Sequence, residues 1–463
     1  MEKSAQNQLG RREFMQKAAV GGLSMSALFL NDNVAKDVEY ATQKVSRFSS
    51  PSELKITDMK ISWYRSTPII RLETNQGIMG YGEVRDGGDP IYALQFKARL
   101  LGENPCNIEK IFKRFKHSVP HGRQAGGLCG IEIALWDIVS KAYNVPIYQM
   151  LGGKYRDQIE LYADTPQAPN GDIMAERIKL RMDHGYKWVK MDFGIGMLRN
   201  TPGALVGHHR WNINGFYNFR DDYAWTPHQL TRIQITPKGI DKLIEYVASV
   251  RNMVGYDVQL LSDHFGSFDI NTAIQLAKAA EPYRLGWMED FIPWMYSDQW
   301  KKITDAVEVP TCTGEDIFGK DGFKDLIEKN AVDIVHPDMM SSGGILETKK
   351  IGDYAEEYGI AMGLHCAGTP FSLLASVHCA AATRGFMALE HHGVDAEYWE
   401  DLVTGIKPIE KDGCVAVLDK PGLGIEPNDE VVKQHLNPLA EGKVWMDTDE
   451  WNRRITGMDR PWS

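Results

Sequence analysis

The chain has 463 residues, 43% hydrophobic and 25% charged, an ordinary globular composition long enough for two domains and a large core. Its net charge of −10 argues against nucleic acid or an anionic membrane surface as the main partner, since both require clustered Lys and Arg. Six scattered cysteines, Cys106, Cys129, Cys312, Cys366, Cys379 and Cys414, lack the paired spacing of a disulfide framework or zinc site, and most read as core thiols.

Near the N-terminus, Arg11-Arg12-Glu13-Phe14-Met15 precedes an apolar run, Ala18 to Leu30. The run is too short and too rich in Gly and Ser to span a membrane, but it suits a signal-peptide core. The segment resembles a twin-arginine export signal, although Gly10 stands where Ser or Thr is commoner and no A-x-A cleavage site follows. Residues 1–52 are expected to be signal and linker, so that the protein is periplasmic or otherwise exported. The alternative is a disordered tail on a cytoplasmic protein.

Further along, short apolar runs alternate with amphipathic segments, the pattern of βα units around a parallel sheet. The runs are Ile159–Asp164, Trp188–Phe193, Val258–Asp263, Leu285–Asp290, Val309–Glu315, Val332–Asp338, Ile360–His365 and Phe386–His391, with helical stretches such as Asn271–Glu281, Gly344–Tyr358 and Ser372–Thr383 between them. Eight strands with crossover helices predict an α/β fold, a (β/α)8-type barrel over residues 159–393, with its active site at the C-terminal strand ends.

Nearly every run ends in a polar residue, and the spacing is regular. Asp263, Glu289 and Glu315 follow one another at intervals of 26 residues, with Asp338, His365 and Glu390 after them at 23, 27 and 25. One βα unit per interval places all six around one barrel mouth. Any one acid alone reads as a helix N-cap or loop charge. Three on consecutive strands, Asp263, Glu289 and Glu315, read as oxygen ligands of a hard cation, Mg²⁺, one per subunit.

A carboxylate bonded to one imidazole nitrogen makes the other a base, so Asp338 and His365 read as a general-base pair. Alone, His365 would read as a satisfied core histidine. Lys190 points a cation into the mouth, unless it is a snorkelling surface lysine. Glu390 either hydrogen-bonds substrate or caps the barrel. Metal, base and cation together suit removal of a proton α to a carboxylate, with the resulting enediolate stabilised by charge.

Longer motifs carry a resemblance over about residues 54–430. "TNQGIMGYGE" (Thr74–Glu83), "EIALWDIVSKAYNVPIYQMLGG" (Glu132–Gly153), "KYRDQIELYA" (Lys154–Ala163) and "DKPGLGIEPND" (Asp419–Asp429) flank the barrel; "GYKWVKMD", "WMED", "TGED", "HPDMMSSGGI" and "GLH" lie within it. The chain resembles the mandelate racemase and muconate lactonizing enzyme group of the enolase superfamily. The resemblance implies an N-terminal α+β capping domain over residues 53–158, completed by a C-terminal return over residues 394–463. It also implies a homo-oligomer, an octamer or dimer.

Asp192 stands where racemases and cycloisomerases of that group usually carry a second lysine, which leaves His365 as the base and resembles the group's acid-sugar dehydratases. The implied activity is dehydration of a small-molecule sugar acid to a 2-keto-3-deoxy acid. Alternatives are a sugar-acid epimerase or cycloisomerase using the same enediolate, or a non-catalytic periplasmic sugar-acid binding protein. Some dehydratases of the group place an acid histidine two residues after the first ligand; here Phe265 is there and His264 comes one early. An insertion over about residues 194–236 offers Tyr217, Tyr223, His208 and His209 as donors to the leaving group, or a subunit contact.

Overall fold

The computed structural model describes residues 49–198, 200–206, 234–263 and 268–454. The elements below belong to the compact unit Pro51–Ser463. Three antiparallel strands, β1 (Ile56–Tyr64), β2 (Thr67–Thr74) and β3 (Met79–Glu83), come first, followed by helices α1 (Ile108–Lys116) and α2 (Gly126–Tyr143). In α1 the buried residues Ile108, Ile111, Phe112 and Phe115 fall at helical spacing, which fixes the buried face. Helix α2 packs on β3 so closely that side chains there are excluded. A Cβ on Gly80 would lie 2.2 Å from Ala134 O, and one on Gly82 1.9 Å from Gly130 O.

Eight parallel strands then close into a barrel: β4 (Gln158–Ala163), β5 (Trp188–Asp192), β6 (Gln259–Asp263), β7 (Trp287–Glu289), β8 (Thr311–Thr313), β9 (Ile334–Val335), β10 (Ala361–Leu364) and β11 (Phe386–His391). Closure is by β11 on β4, with Glu390 opposite Tyr162. All eight predicted runs are barrel strands, most of them trimmed where the polar ends leave the ladder. Helices α3 (Gly171–Asp183), α4 (Pro237–Val254), α5 (Ile270–Ala280), α6 (Ser297–Thr304), α7 (Gly319–Glu328), α8 (Gly344–Glu357) and α9 (Pro370–Ala382) follow β4 to β10 in turn. Side-chain caps start several of them: Asn170, Thr236, Asp269 and Thr369 accept from Ile173, Gly239, Thr272 and Phe371 N–H groups, and Pro237 and Pro370 occupy first positions.

The barrel interior is a packed layer of Tyr162, Leu261, Trp287, Cys312, Ile334 and Ala388. Side chains alternate across a strand, so the inward residue two positions further along stands nearer the mouth. From Tyr162, Leu261, Trp287, Ile334 and Ala388 that step leads to Asp164, Asp263, Glu289, His336 and Glu390. The packed layer is thus the floor of the site, and register alone puts charged and polar groups on top of it.

Glu132 of α2 ties the N-terminal layer to the barrel. Its carboxylate accepts from Ile345 N at 2.7 Å, Leu346 N at 3.1 Å and Trp136 Nε1 at 2.7 Å. Gly343, the cap of α8, and Gly344, its first residue, have φ of +118° and +79°, and a Cβ on Gly344 would sit 2.1 Å from Glu132 Oε2. The SSGGI stretch therefore needs glycine both for backbone conformation and for carboxylate room. Burial pushes the Glu132 carboxyl up to about 7, against the lowering effect of those N–H donors.

The C-terminal segment pairs Cys414–Ala416 antiparallel with the start of β4, then bridges Leu436 and Met446 to Tyr64 and Ile61 of β1. All six cysteines are free thiols, four of them buried. Among the described residues no helix is long and apolar enough to cross a membrane. Leu205–Val206 and Gln234–Ile235 form an antiparallel two-strand ladder at the base of the predicted insertion. His208, His209, Tyr217 and Tyr223, together with His264, lie outside the described residues.

Candidate active site

The strand ends bring the predicted groups to one mouth. Lys190 of β5 is 2% exposed. Its Nζ lies 2.9 Å from Asp263 Oδ2, 2.5 Å from Glu390 Oε1 and 4.0 Å from Glu289 Oε2. Burial alone would lower the Lys190 pKa, but Asp263, Glu289 and Glu390 outweigh it and hold the amine as an ammonium well above its ordinary value. Burial likewise opposes ionisation of Glu390, which Lys190, His365 and His392 reverse, keeping it a carboxylate.

Asp338 N-caps a short turn of helix, accepting from Met340 N at 2.5 Å through Oδ1. Its Oδ2 lies 2.5 Å from His365 Nδ1, and the two residues face each other across an isolated parallel bridge. The opposite nitrogen, His365 Nε2, is 3.1 Å from Glu315 Oε2 and 3.5 Å from Glu390 Oε2. Burial would lower the His365 pKa; Glu315, Glu390 and the Asp338 bond overcome that and push it up to about 10.

The predicted metal ligands are arranged less simply than their spacing suggests. Asp263 and Glu289 gather with Asp290, one oxygen from each lying within 4.8 Å of the others. Glu315 stands beside this group with its carboxylate turned elsewhere, 3.1 Å from His365 Nε2 and 2.9 Å from Arg85 Nη2. Asp290 adopts φ +53°, a left-handed conformation costing about 1–3 kcal/mol in a non-glycine residue, and accepts from Thr313 Oγ1 at 2.6 Å. Burial and the carboxylates of Glu289, Glu315 and Asp263 push its carboxyl well above the usual range.

An all-oxygen set crowded with mutually repelling acids matches the donor chemistry of Mg²⁺. The residues present therefore fit a divalent cation. Two neighbouring clusters, Glu289 with Cys312 and His336, and His365 with Glu390 and His392, mix in imidazole or thiol, which a hard cation does not prefer.

Several site residues escape sequence reasoning. Arg85, just after β3 and 1% exposed, donates to Glu315 Oε1 at 2.9 Å and, through Nη1, to Asp316 Oδ1 and Ser341 Oγ at 2.6 Å. The capping layer thus supplies a cation to the barrel mouth. His336 of the HPD motif lies under the site, with Nε2 2.6 Å from Tyr162 OH and Nδ1 2.8 Å from Glu289 Oε1. His392, one step beyond β11, puts Nε2 3.1 Å from Glu390 Oε1 and Nδ1 3.7 Å from Asp164 Oδ2. Alternation from Glu390 would have pointed to His392, and alternation from Tyr162 to Asp164; Arg85 left no local signal.

A closed parallel barrel whose strand ends converge on an acid–base pair and a carboxylate cluster defines a barrel enzyme site under a capping layer. Family comparison agrees: residues 37–152 match the mandelate racemase / muconate lactonizing enzyme N-terminal domain, and residues 173–431 the enolase C-terminal domain-like family. The chain belongs to the mandelate racemase / muconate lactonizing enzyme group of the enolase superfamily. It is 32% identical over 390 residues to a D-xylonate dehydratase of Haloferax volcanii, covering 82% of this chain and 87% of that one. A D-galactonate dehydratase of Pectobacterium atrosepticum is 28% identical, covering 86% of this chain and 100% of that one. Among solved structures, a mandelate racemase/muconate lactonizing enzyme-like protein from Rubrobacter xylanophilus superposes with a TM-score of 0.72 at 27% identity, covering 83% of this chain and 97% of that one.

Proposed function

We propose that this chain is a Mg²⁺-dependent hydro-lyase that removes the α-proton of a sugar-acid carboxylate and eliminates water, giving a 2-keto-3-deoxy acid. The observation that carries the reading is the His365–Asp338 pair, 2.5 Å apart, facing a carboxylate cluster and a buried ammonium across one barrel mouth. Asp263, Glu289 and Glu315 would hold the cation, with Asp290 beside them; once bound, it supplies positive charge next to the substrate carboxylate as the α-proton leaves.

The other roles belong to the chain itself. Asp338 fixes the His365 tautomer with hydrogen on Nδ1; once Glu315 holds a cation, the carboxylate charge that raises the His365 pKa is offset, leaving Nε2 to take the α-proton. Lys190 offers its ammonium to the substrate carboxylate, and Glu390 accepts from a substrate hydroxyl. Asp192, on β5 two residues after Lys190, provides no amine base on the opposite face, which favours elimination over racemisation. The dehydratase relatives support a sugar acid as substrate.

The reading is tested by incubating the chain with Mg²⁺ and a panel of aldonic, uronic and aldaric acids, D-xylonate and D-galactonate among them, beside a His365→Asn control. A 2-keto-3-deoxy product lost in the control is expected. An epimerised or cyclised product would move the assignment to those reactions, and Mg²⁺ binding without turnover of any acid would favour a binding protein. We also propose export through Arg11-Arg12; replacing both with Lys should retain the chain in the cytoplasm on cell fractionation.

A further inference from the structure

Elimination needs a second proton transfer that His365 does not obviously provide. Hydroxide is a poor leaving group, so the oxygen departing from the β-carbon must gain a proton as its bond to carbon breaks. We infer that His392 is the general acid that protonates this oxygen. The inference rests on the dehydratase reading and deepens it.

Four observations converge on His392. Counting by two along β11 from Ala388 and Glu390 puts it on the inward side, one step nearer solvent than Glu390. Its ring centre lies 6.0 Å from that of His365, with the Glu390 carboxylate between them, 3.5 Å from His365 Nε2 through one oxygen and 3.1 Å from His392 Nε2 through the other. Both Nε2 atoms therefore converge on one carboxylate, which puts the two imidazoles at the same part of the mouth, where one can serve the α-carbon and the other the oxygen on its neighbour.

The surroundings also favour a charged imidazole. Asp164 and Glu390 are the carboxylates facing it, with Asp164 Oδ2 3.7 Å from Nδ1. Against burial, which would lower it, and a smaller opposing effect of the Lys190 ammonium, Asp164 and Glu390 raise the His392 pKa. Finally, the His392 side chain is 33% exposed, whereas that of His365 is 6% exposed. Water can therefore return a proton to His392 after each turnover.

The step balances without a further reactant. His365 takes the α-proton and the substrate becomes an enediolate. Its electron pair forms the new carbon–carbon double bond as the β-carbon–oxygen bond breaks. The departing oxygen takes the His392 proton and leaves as water, and the enol tautomerises to the 2-keto-3-deoxy acid.

The test uses full-length wild type and His392→Asn with Mg²⁺ in D₂O. Probes are D-xylonate, D-galactonate and their 3-deoxy-3-fluoro analogues, because fluoride leaves without needing a proton. Recovered substrate is read for α-deuterium, and the mixtures for keto product and fluoride. For His392→Asn the expected result is persistent α-exchange, keto product from the hydroxy acids reduced about 100-fold or more, and fluoride release within several-fold of wild type. Asp164→Asn, which leaves the imidazole in place, should show a smaller loss of the same kind.

Dehydration by His392→Asn at the wild-type rate overturns the inference. So does parallel loss of exchange, product and fluoride release, which would make His392 a residue that merely holds the site. A wild type that neither exchanges nor eliminates any of the four probes while binding Mg²⁺ would contradict the functional reading and remove the inference with it.

Discussion

Replacing Asp338 by Asn probes the base most sharply, because it separates charge from shape. The Asn Oδ1 can still accept from Met340 N, which the Asp338 carboxylate meets at 2.5 Å, so the turn before α8 is kept. What is lost is the bond between Oδ2 and His365 Nδ1, also 2.5 Å. A hydrogen bond to a charged group contributes about 1.5–3 kcal/mol, which at about 1.36 kcal/mol per decade corresponds to roughly 10- to 160-fold in rate. The amide would also donate to Nδ1, moving the imidazole hydrogen to Nε2, where it blocks proton abstraction. Adding that effect brings the expected loss in kcat to about 10²–10⁴-fold, the range of a general base. The assay is α-hydrogen exchange into D₂O, with Mg²⁺ affinity and the thermal melt as controls. Exchange within threefold of wild type would refute the pairing, and so would a loss explained entirely by unfolding.

Glu289→Gln should weaken Mg²⁺ binding at least about tenfold in a calorimetric titration, since even outer groups around a metal cost 10- to 100-fold; unchanged affinity would remove Glu289 from the ligand set. Gly344→Ala puts a methyl 2.1 Å from Glu132 Oε2 at φ +79° and should cost about 2–5 kcal/mol in urea denaturation, from left-handed strain plus disrupted N–H pairing. A change under about 0.5 kcal/mol would mean that the junction yields freely. Glu132 gives a pH signature. Its carboxyl is raised from 4.5 to about 7 in the folded chain, so the native state retains a proton that the unfolded state has already lost. Its contribution is therefore full below pH 4.5 and is lost as pH rises through about 7, a fall on the order of 3 kcal/mol. Glu132→Gln should flatten that limb of the stability profile, and an unchanged limb would assign it to other groups.

The barrel was readable in the sequence because parallel strands buried on both faces are written as continuous apolar runs, and the polar residue closing nearly every run marks a strand end. Six residues at or next to those ends, Asp263, Glu289, Glu315, Asp338, His365 and Glu390, could be named from their intervals. Interval and residue type do not say where a carboxylate turns, so Asp290 and the rotation of Glu315 toward Arg85 and His365 were not legible. Arg85 reaches Glu315 from 230 residues away, and Glu132 reaches Ile345 from 213; neither contact leaves a local pattern. His392 and His336 were legible in principle through two-residue alternation, but each stands beside a residue with a stronger motif and was passed over.

The most direct measurement of the central claim is the rate at which solvent deuterium enters the α-position of recovered, unconverted sugar acid, with wild type and His365→Asn compared at saturating Mg²⁺. The account predicts wash-in by the wild type and its abolition in the variant, with Mg²⁺ affinity and folding retained. Equal wash-in by both proteins would contradict His365 as the base that takes the α-proton.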